Sequence, residues 1–307
     1  MSKIAFVFPG QGAQYVGMGE EIIKSNIESK AIFDCADKIL DFDLKEICFT
    51  QQEKINSTEY TQPALLTVSI AILKAIEELG IKPDYVAGLS LGEYSALVAN
   101  GCIAFEDAVY LVRKRGQFME EAARKTQGSM AAILGSDRVT IEEECKKASG
   151  IVGIANYNSP AQMVIAGEIQ SVSEVSSKLS EKGIRVIPLN VSGAFHSILM
   201  KEAANQLETV LNDIQINSFE TPYATNVTGE IITTSEEVKA LLIQQVMSSV
   251  KWEDCIHSLI AKGVDIFVEI GPGKTLSGLI KKIDRSKKVV NIENFNGLQS
   301  LKKELEV

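Results

Sequence analysis

Apolar, strand-like runs alternate with amphipathic, helix-like runs along most of the 307 residues, and this alternation restricts the fold more than any other feature of the chain. It predicts an α/β fold with a largely parallel sheet. The first strand, 4–8, ends in Pro9-Gly10-Gln11-Gly12, and a late strand, 264–270, ends in Gly271-Pro272-Gly273 before a helix. Loops at the carboxyl ends of parallel strands are where such sheets carry their chemistry. The stretch from about 127 to 191 departs from this rhythm. It reads as strand 130–134, helix 139–148, strand 152–155, strand 162–166, helix 172–182 and strand 185–189, a βαββαβ order of the ferredoxin-like kind. Turn signals border it, Gly128-Ser129 on one side and Ser192-Gly193 on the other. The expected organisation is therefore a large α/β-hydrolase-like subdomain, residues 1–126 and 194–307, with a small ferredoxin-like subdomain, 127–193, inserted in it.

One turn in this pattern carries a reactive group. Gly88-Leu89-Ser90-Leu91-Gly92 follows the short strand 85–87 and precedes the helical run 93–99. A serine on a sharp strand-to-helix bend needs small residues two places either side, because neighbouring side chains would clash there. The bend lifts the hydroxyl out of the sheet, and the new helix points free N–H groups at the same spot. Ser90 is thus the expected nucleophile.

A serine nucleophile needs a base, and the chain has two histidines. His257 lies in the helical run 252–261, where Trp252, Ile256, Leu259 and Ile260 form the apolar stripe and, at about 100° per residue, His257 points away from it. His196, in Ser192-Gly193-Ala194-Phe195-His196, is expected at the amino end of a helical run through Met200, Ala203 and Leu207. A helix amino terminus disfavours imidazolium, which would keep the ring a neutral base. Between Ser90 and His196 the aspartates are Asp107, at a helix start, and Asp137, in a turn. Neither suits a triad, so the expectation is a Ser-His dyad whose ring is oriented by a backbone carbonyl or an amide.

The helical run 106–125 adds a charge in an unexpected place. Ala108, Leu111, Val112, Phe118, Met119 and Ala122 form its apolar face; Arg115 projects near the centre of that face, and Arg113 and Lys114 are expected to point outward. A guanidinium so placed is either tied up in a structural ion pair or hydrogen bonds, or waits for a carboxylate that its planar fork can hold. The phase alone leaves both open.

Composition narrows the partners. A net charge of −9 opposes nonspecific nucleic-acid binding. No apolar run approaches a membrane span, and the amino terminus lacks a cleavable signal pattern, so a cytoplasmic location is expected. Five scattered cysteines, never spaced Cys-x-x-Cys, predict neither a disulfide framework nor a zinc site. Gly271-Pro272-Gly273-Lys274-Thr275 fails as a phosphate loop, since Val268 stands at its first glycine. The cluster Lys281, Lys282, Arg285, Lys287, Lys288 reads first as a solvated helix end and second as a docking patch.

Taken in order, Phe8-Pro9-Gly10-Gln11-Gly12, Gly88 through Ala96, Arg115-Gly116, Asn158-Ser159-Pro160, Gly193 through Ser197 and Glu269 through Lys274 span nearly the whole chain. This set resembles the malonyl-CoA:acyl carrier protein transacylase family. The resemblance implies a ping-pong transfer from malonyl-CoA to the phosphopantetheine thiol of acyl carrier protein, supplying fatty acid synthesis. It implies Ser90 as nucleophile, His196 as base, the N–H groups of Gln11 and Leu91 as oxyanion hole, and Arg115 as the grip on the malonyl carboxylate. It further implies that the Gln245 main-chain carbonyl orients His196 and that Phe195-His196 accompanies malonyl preference. No metal or other cofactor is implied, and a monomer is expected. Two positions depart from the family pattern: Leu89 replaces the usual histidine and Ala194 a common proline. The competing readings are a serine thioesterase or esterase on the same elbow, a trans-acting acyltransferase of polyketide synthesis and, more distantly, a non-enzymatic scaffold.

Overall fold

A computed structural model describes residues 2–191 and 193–305; Ser192, half of one expected border turn, lies outside them. Among the described residues, ten strands form two sheets: β1 (Lys3–Phe8), β2 (Tyr85–Gly88), β3 (Gly128–Leu134), β4 (Val152–Ser159), β5 (Gln162–Glu168), β6 (Arg185–Pro188), β7 (Tyr223–Ala224), β8 (Ile231–Ile232), β9 (Val264–Ile270) and β10 (Lys288–Ile292). The larger sheet has the order β10-β9-β1-β2-β7-β8. Its pairings are parallel except for β7 with β8. The second sheet, β4-β5-β3-β6, is antiparallel throughout. Its strands and the helices Arg138–Lys147 and Ile169–Glu181 follow the expected βαββαβ order. A single bridge between Asn156 and Val250 joins β4 to the chain of the larger unit.

Both faces of the parallel sheet are covered, which is why its inner strands are apolar without alternation. Ala5 and Val7 face one apolar cluster with Trp252, Ile256 and Leu259, while Phe6 and Phe8 face another with the helix Thr58–Glu77. Because β1 and β2 are neighbours, the loops at their carboxyl ends lie side by side. A methyl group on Gly10 would collide with the Leu89 carbonyl oxygen, and one on Gly92 would collide with that of Phe8. Glycine there lets the elbow and the Pro9–Gly12 loop touch, backbone to backbone. Leu89, where an imidazole is usual in the family it resembles, packs partly buried against the Trp252 cluster and beside Gly10.

The helix Phe105–Thr126 meets the helix Thr58–Glu77 in the same way. Gly116 approaches Thr58 and Glu59 so closely that an added Cβ would lie 2.8 Å from the Thr58 carbonyl oxygen. Arg113 corrects the expectation of an outward side chain: it is buried. Pro63 lies inside the partner helix and has no N–H for the carbonyl of Glu59, four residues back. Arg113 Nη1 donates to that carbonyl at 3.0 Å and pairs with the Glu59 carboxylate at 2.7 Å, its guanidinium over the adjoining rings of Phe42 and Tyr60. The packed face of this helix is thus wider than its apolar stripe, because a neighbouring helix supplies polar partners.

The basic cluster is mostly spoken for. Lys281 donates to the main-chain carbonyls of Arg285 and Lys287, Lys282 to Gln162, and Lys287 pairs with Asp265. No described helix is long and apolar enough to cross a membrane.

The glycine contacts make a paired prediction. Gly92→Ala should lower stability by about 2–3 kcal/mol or more, since backbone must move to admit the methyl. Gly278→Ala, on an open face of the helix Thr275–Ile283, should raise it by roughly 0.5–1 kcal/mol. Urea unfolding of both variants checks the contrast.

Candidate active site

Ser90 sits at φ 53°, a left-handed conformation that a non-glycine residue holds only when its surroundings enforce it. The enforcement is visible. Its N–H donates to Asn226 Oδ1 at 2.6 Å, and Asn226 Nδ2 donates to the Gly88 carbonyl at 2.7 Å, so one amide brackets the elbow. On the other side Gln245 Nε2 donates to the Ser90 carbonyl at 2.9 Å.

His196 Nε2 lies 2.7 Å from Ser90 Oγ, and His196 Nδ1 lies 2.8 Å from the main-chain oxygen of Gln245. A carbonyl can only accept, so Nδ1 carries the proton, and Nε2 is left as the acceptor for the serine hydroxyl. His196 does not start a helix. It occupies a loop at φ 58°, ahead of a short 3-10 turn, Ile198–Met200, and the helix Lys201–Asp213. Its neutrality therefore has another source: burial pushes its pKa down to about 4, with the Arg115 positive charge adding to the effect. His257 is half-exposed beside Glu253, well suited to a surface position, and Asp137 caps the helix Arg138–Lys147.

Arg115 is buried on the face expected for it. Its Nη1 donates to Gln62 Oε1 at 2.9 Å, and its Nη2 to Gln245 Oε1 at 2.9 Å and to Ser90 Oγ at 3.2 Å. Gln62 and Gln245 carry no charge, so among the described residues the guanidinium is hydrogen-bonded but not paired with an adjacent carboxylate. Its plane lies over the Tyr94 ring. A buried acid whose charge acts on the guanidinium is Glu93, whose Oε2 accepts from Gln245 Nε2 at 2.7 Å.

Two further expected positions are less direct. Gln11 donates through its side chain to Thr58 Oγ1 at 3.2 Å, and its loop touches the elbow at Gly10. Among the described residues, no acceptor takes the N–H of Gln11 or of Leu91, whereas the N–H of Ser90 is occupied. Phe195 is buried in the main core, one residue from the base. A cleft of about 430 Å³, lined by Val152, Gly153, Ile154, His196, Met247 and Lys251, opens beside the ring.

Sequence reasoning missed Asn226, Gln62 and Glu93. Asn226 had a usable signal, since it follows β7 at the carboxyl end of a parallel strand. Glu93 stands within the run Gly88 through Ala96, one place past the elbow, whereas Gln62 had no signal, being a polar residue in a helix that packs on several sides.

A strained serine hydrogen-bonded to a neutral imidazole, at the carboxyl ends of parallel strands, is an arrangement chemically able to accept an acyl group on oxygen, and the class of protein it fits is the acyl-transferring enzymes. The chain belongs to the acyl transferase family, whose domain model matches residues 5–306. It is 46% identical to the malonyl CoA-acyl carrier protein transacylase of Bacillus subtilis (strain 168), across 99% of each chain. Its structure is similar to the crystal structure of malonyl CoA-acyl carrier protein transacylase from Clostridium perfringens, with a TM-score of 0.96, 44% identity and coverage of 99% and 98% of the two chains. A malonyl-transacylase solved with a type II PKS acyl-carrier protein superposes with a TM-score of 0.95 at 36% identity, over 99% of this chain and 100% of that one.

The low basicity of His196 makes a test. Ser90 reactivity needs the neutral ring, so it is present above the His196 pKa and lost below it. The rate of inactivation by a fluorophosphonate should fall with an inflection near pH 4. An inflection at the ordinary histidine value of about 6.5 would contradict the assignment.

Proposed function

We propose that this protein transfers malonyl from malonyl-CoA to the phosphopantetheine thiol of acyl carrier protein through a malonyl ester on Ser90. The observation that carries the reading is Arg115: a buried guanidinium, paired with no carboxylate among the described residues, 3.2 Å from the Ser90 hydroxyl oxygen. A hydrolase for neutral acyl chains has no use for that charge, whereas the free carboxylate of a malonyl group supplies its missing partner.

In the first half-reaction Ser90 Oγ attacks the thioester carbonyl carbon while its proton passes to His196 Nε2. The carbonyl oxygen becomes an oxyanion, for which the unclaimed N–H groups of Gln11 and Leu91 are the donors. Collapse breaks the carbon–sulfur bond, and the coenzyme A sulfur leaves with the proton from His196. In the second half-reaction the pantetheine thiol gives its proton to His196 and attacks the ester, and Ser90 recovers its hydrogen as leaving group. Gln245 keeps the imidazole in the tautomer that both halves require. Each of these roles falls to a side chain or a backbone group, so the scheme calls for no metal or prosthetic group. Four cysteines are buried and all five are free, compatible with the reducing cytoplasm in which we place the reaction. Fatty acid synthesis is the pathway this activity supplies in our reading; polyketide synthesis is the alternative, which the carrier bound to the similar malonyl-transacylase keeps open.

The test follows labelled malonyl from coenzyme A to carrier protein, with hydrolysis measured alongside. Transfer should exceed hydrolysis, and mass spectrometry should find a malonyl adduct that Ser90→Ala abolishes. Hydrolysis without transfer would identify a thioesterase instead. Arg115→Ala should slow malonyl transfer roughly 100-fold or more while leaving fluorophosphonate labelling of Ser90 largely intact. An unchanged malonyl-over-acetyl preference in that variant would refute the carboxylate grip.

A further inference from the structure

Gln245 touches Ser90, His196 and Arg115 at once, and a fourth group touches Gln245 from behind: Glu93. Glu93 lies three residues beyond the nucleophile, in the first turn of the helix Gly92–Ala99, and is completely buried. Its Oε2 accepts from Gln245 Nε2 at 2.7 Å and from the Asn226 N–H at 3.2 Å. A carboxyl group is an expensive filler for a core site, since an apolar side chain of similar volume avoids its desolvation. Burial pushes its pKa up to about 7, against the pull of Gln245, Asn226, Thr225 and Arg115.

The hydrogen-bond arithmetic gives this acid a task. The Gln245 amide has two hydrogens on Nε2, and both end on acceptors: the Ser90 carbonyl and the Glu93 carboxylate. Its Oε1 faces Arg115 Nη2, which can only donate. The amide is thereby held in one of its two orientations. Holding that side chain also holds the backbone whose oxygen accepts from His196 Nδ1.

We infer that Glu93 is a positioning residue for acyl transfer: its carboxylate pins the Gln245 amide and, through Gln245, sets the tautomer of His196 and the placement of the Arg115 guanidinium. The inference rests on the malonyl-transfer reading for what is positioned, but its geometric half needs no substrate.

The chain's two histidines make that half directly readable. In protein labelled with [15N]histidine, His196 should show the Nδ1–H tautomer, with half-exposed His257 as internal control. Two apolar replacements, Glu93→Leu and Glu93→Met, guard against a folding failure of either, and Glu93→Gln keeps an acceptor oxygen. The apolar variants should lose the single Nδ1–H form and slow Ser90 acylation by malonyl-CoA roughly 10–100-fold, the usual scale for a displaced catalytic group. Glu93→Gln should restore both to within a few-fold. In a Gln245→Leu background the Glu93 substitutions should have little further effect, because their route to the dyad is already cut. Folded apolar variants with a wild-type His196 spectrum and acylation rate, or effects that simply multiply with Gln245→Leu, would overturn the inference. A wild-type protein with the expected tautomer but no malonyl ester would instead defeat the functional reading and leave the positioning intact.

Discussion

A guanidinium buried with hydrogen bonds but, among the described residues, without a carboxylate paired to it is the constraint around which the site is arranged. Arg115 can be enclosed only where neutral acceptors reach it, and Gln62 and Gln245 do so from two different helices. Gly116, the next residue, lets its helix come within backbone contact of the helix that carries Gln62. The same positive charge lies close enough to His196 to oppose its protonation, so one residue both holds the site's hydrogen bonds and helps keep the imidazole neutral. The net acidity of the chain is therefore a poor guide to the polarity of its centre.

Both members of the dyad are held in left-handed backbone conformations, Ser90 at φ 53° and His196 at φ 58°. Such conformations cost on the order of 1–3 kcal/mol each. Asn226 and Gln245 offset that strain by satisfying the backbone on either side of the serine. The placement of Ser90 is in this sense over-determined by the side chains around it.

Much of this was legible in the sequence, and the parts that were not share a cause. The alternation of strand and helix patterns led to the parallel sheet, the βαββαβ stretch to the antiparallel one, and the spacing of glycines around Ser90 to the elbow, because each is a local pattern. Helical phase placed Arg115 correctly and Arg113 incorrectly. A helical wheel locates the centre of the packed face but not its width, which depends on what a neighbouring helix offers. Asn226, Gln62 and Glu93 come from three separate segments and meet only through the fold. The neutrality of His196 was anticipated for a reason that the structure replaces: its loop is no helix terminus, and burial does the work assigned to a dipole.

Pro63 deprives the Glu59 carbonyl of its helical donor, and Arg113 supplies the substitute, while Arg115, two residues on, reaches Gln62 beside the same break. The two arginines are chemically identical, and only their alignment against the proline-bearing helix separates the one that mends a backbone break from the one that meets Ser90. The contents of the site are consequently a property of helix register. A slip of the pair by a residue or two would leave every side chain in the sequence and erase the distinction between them.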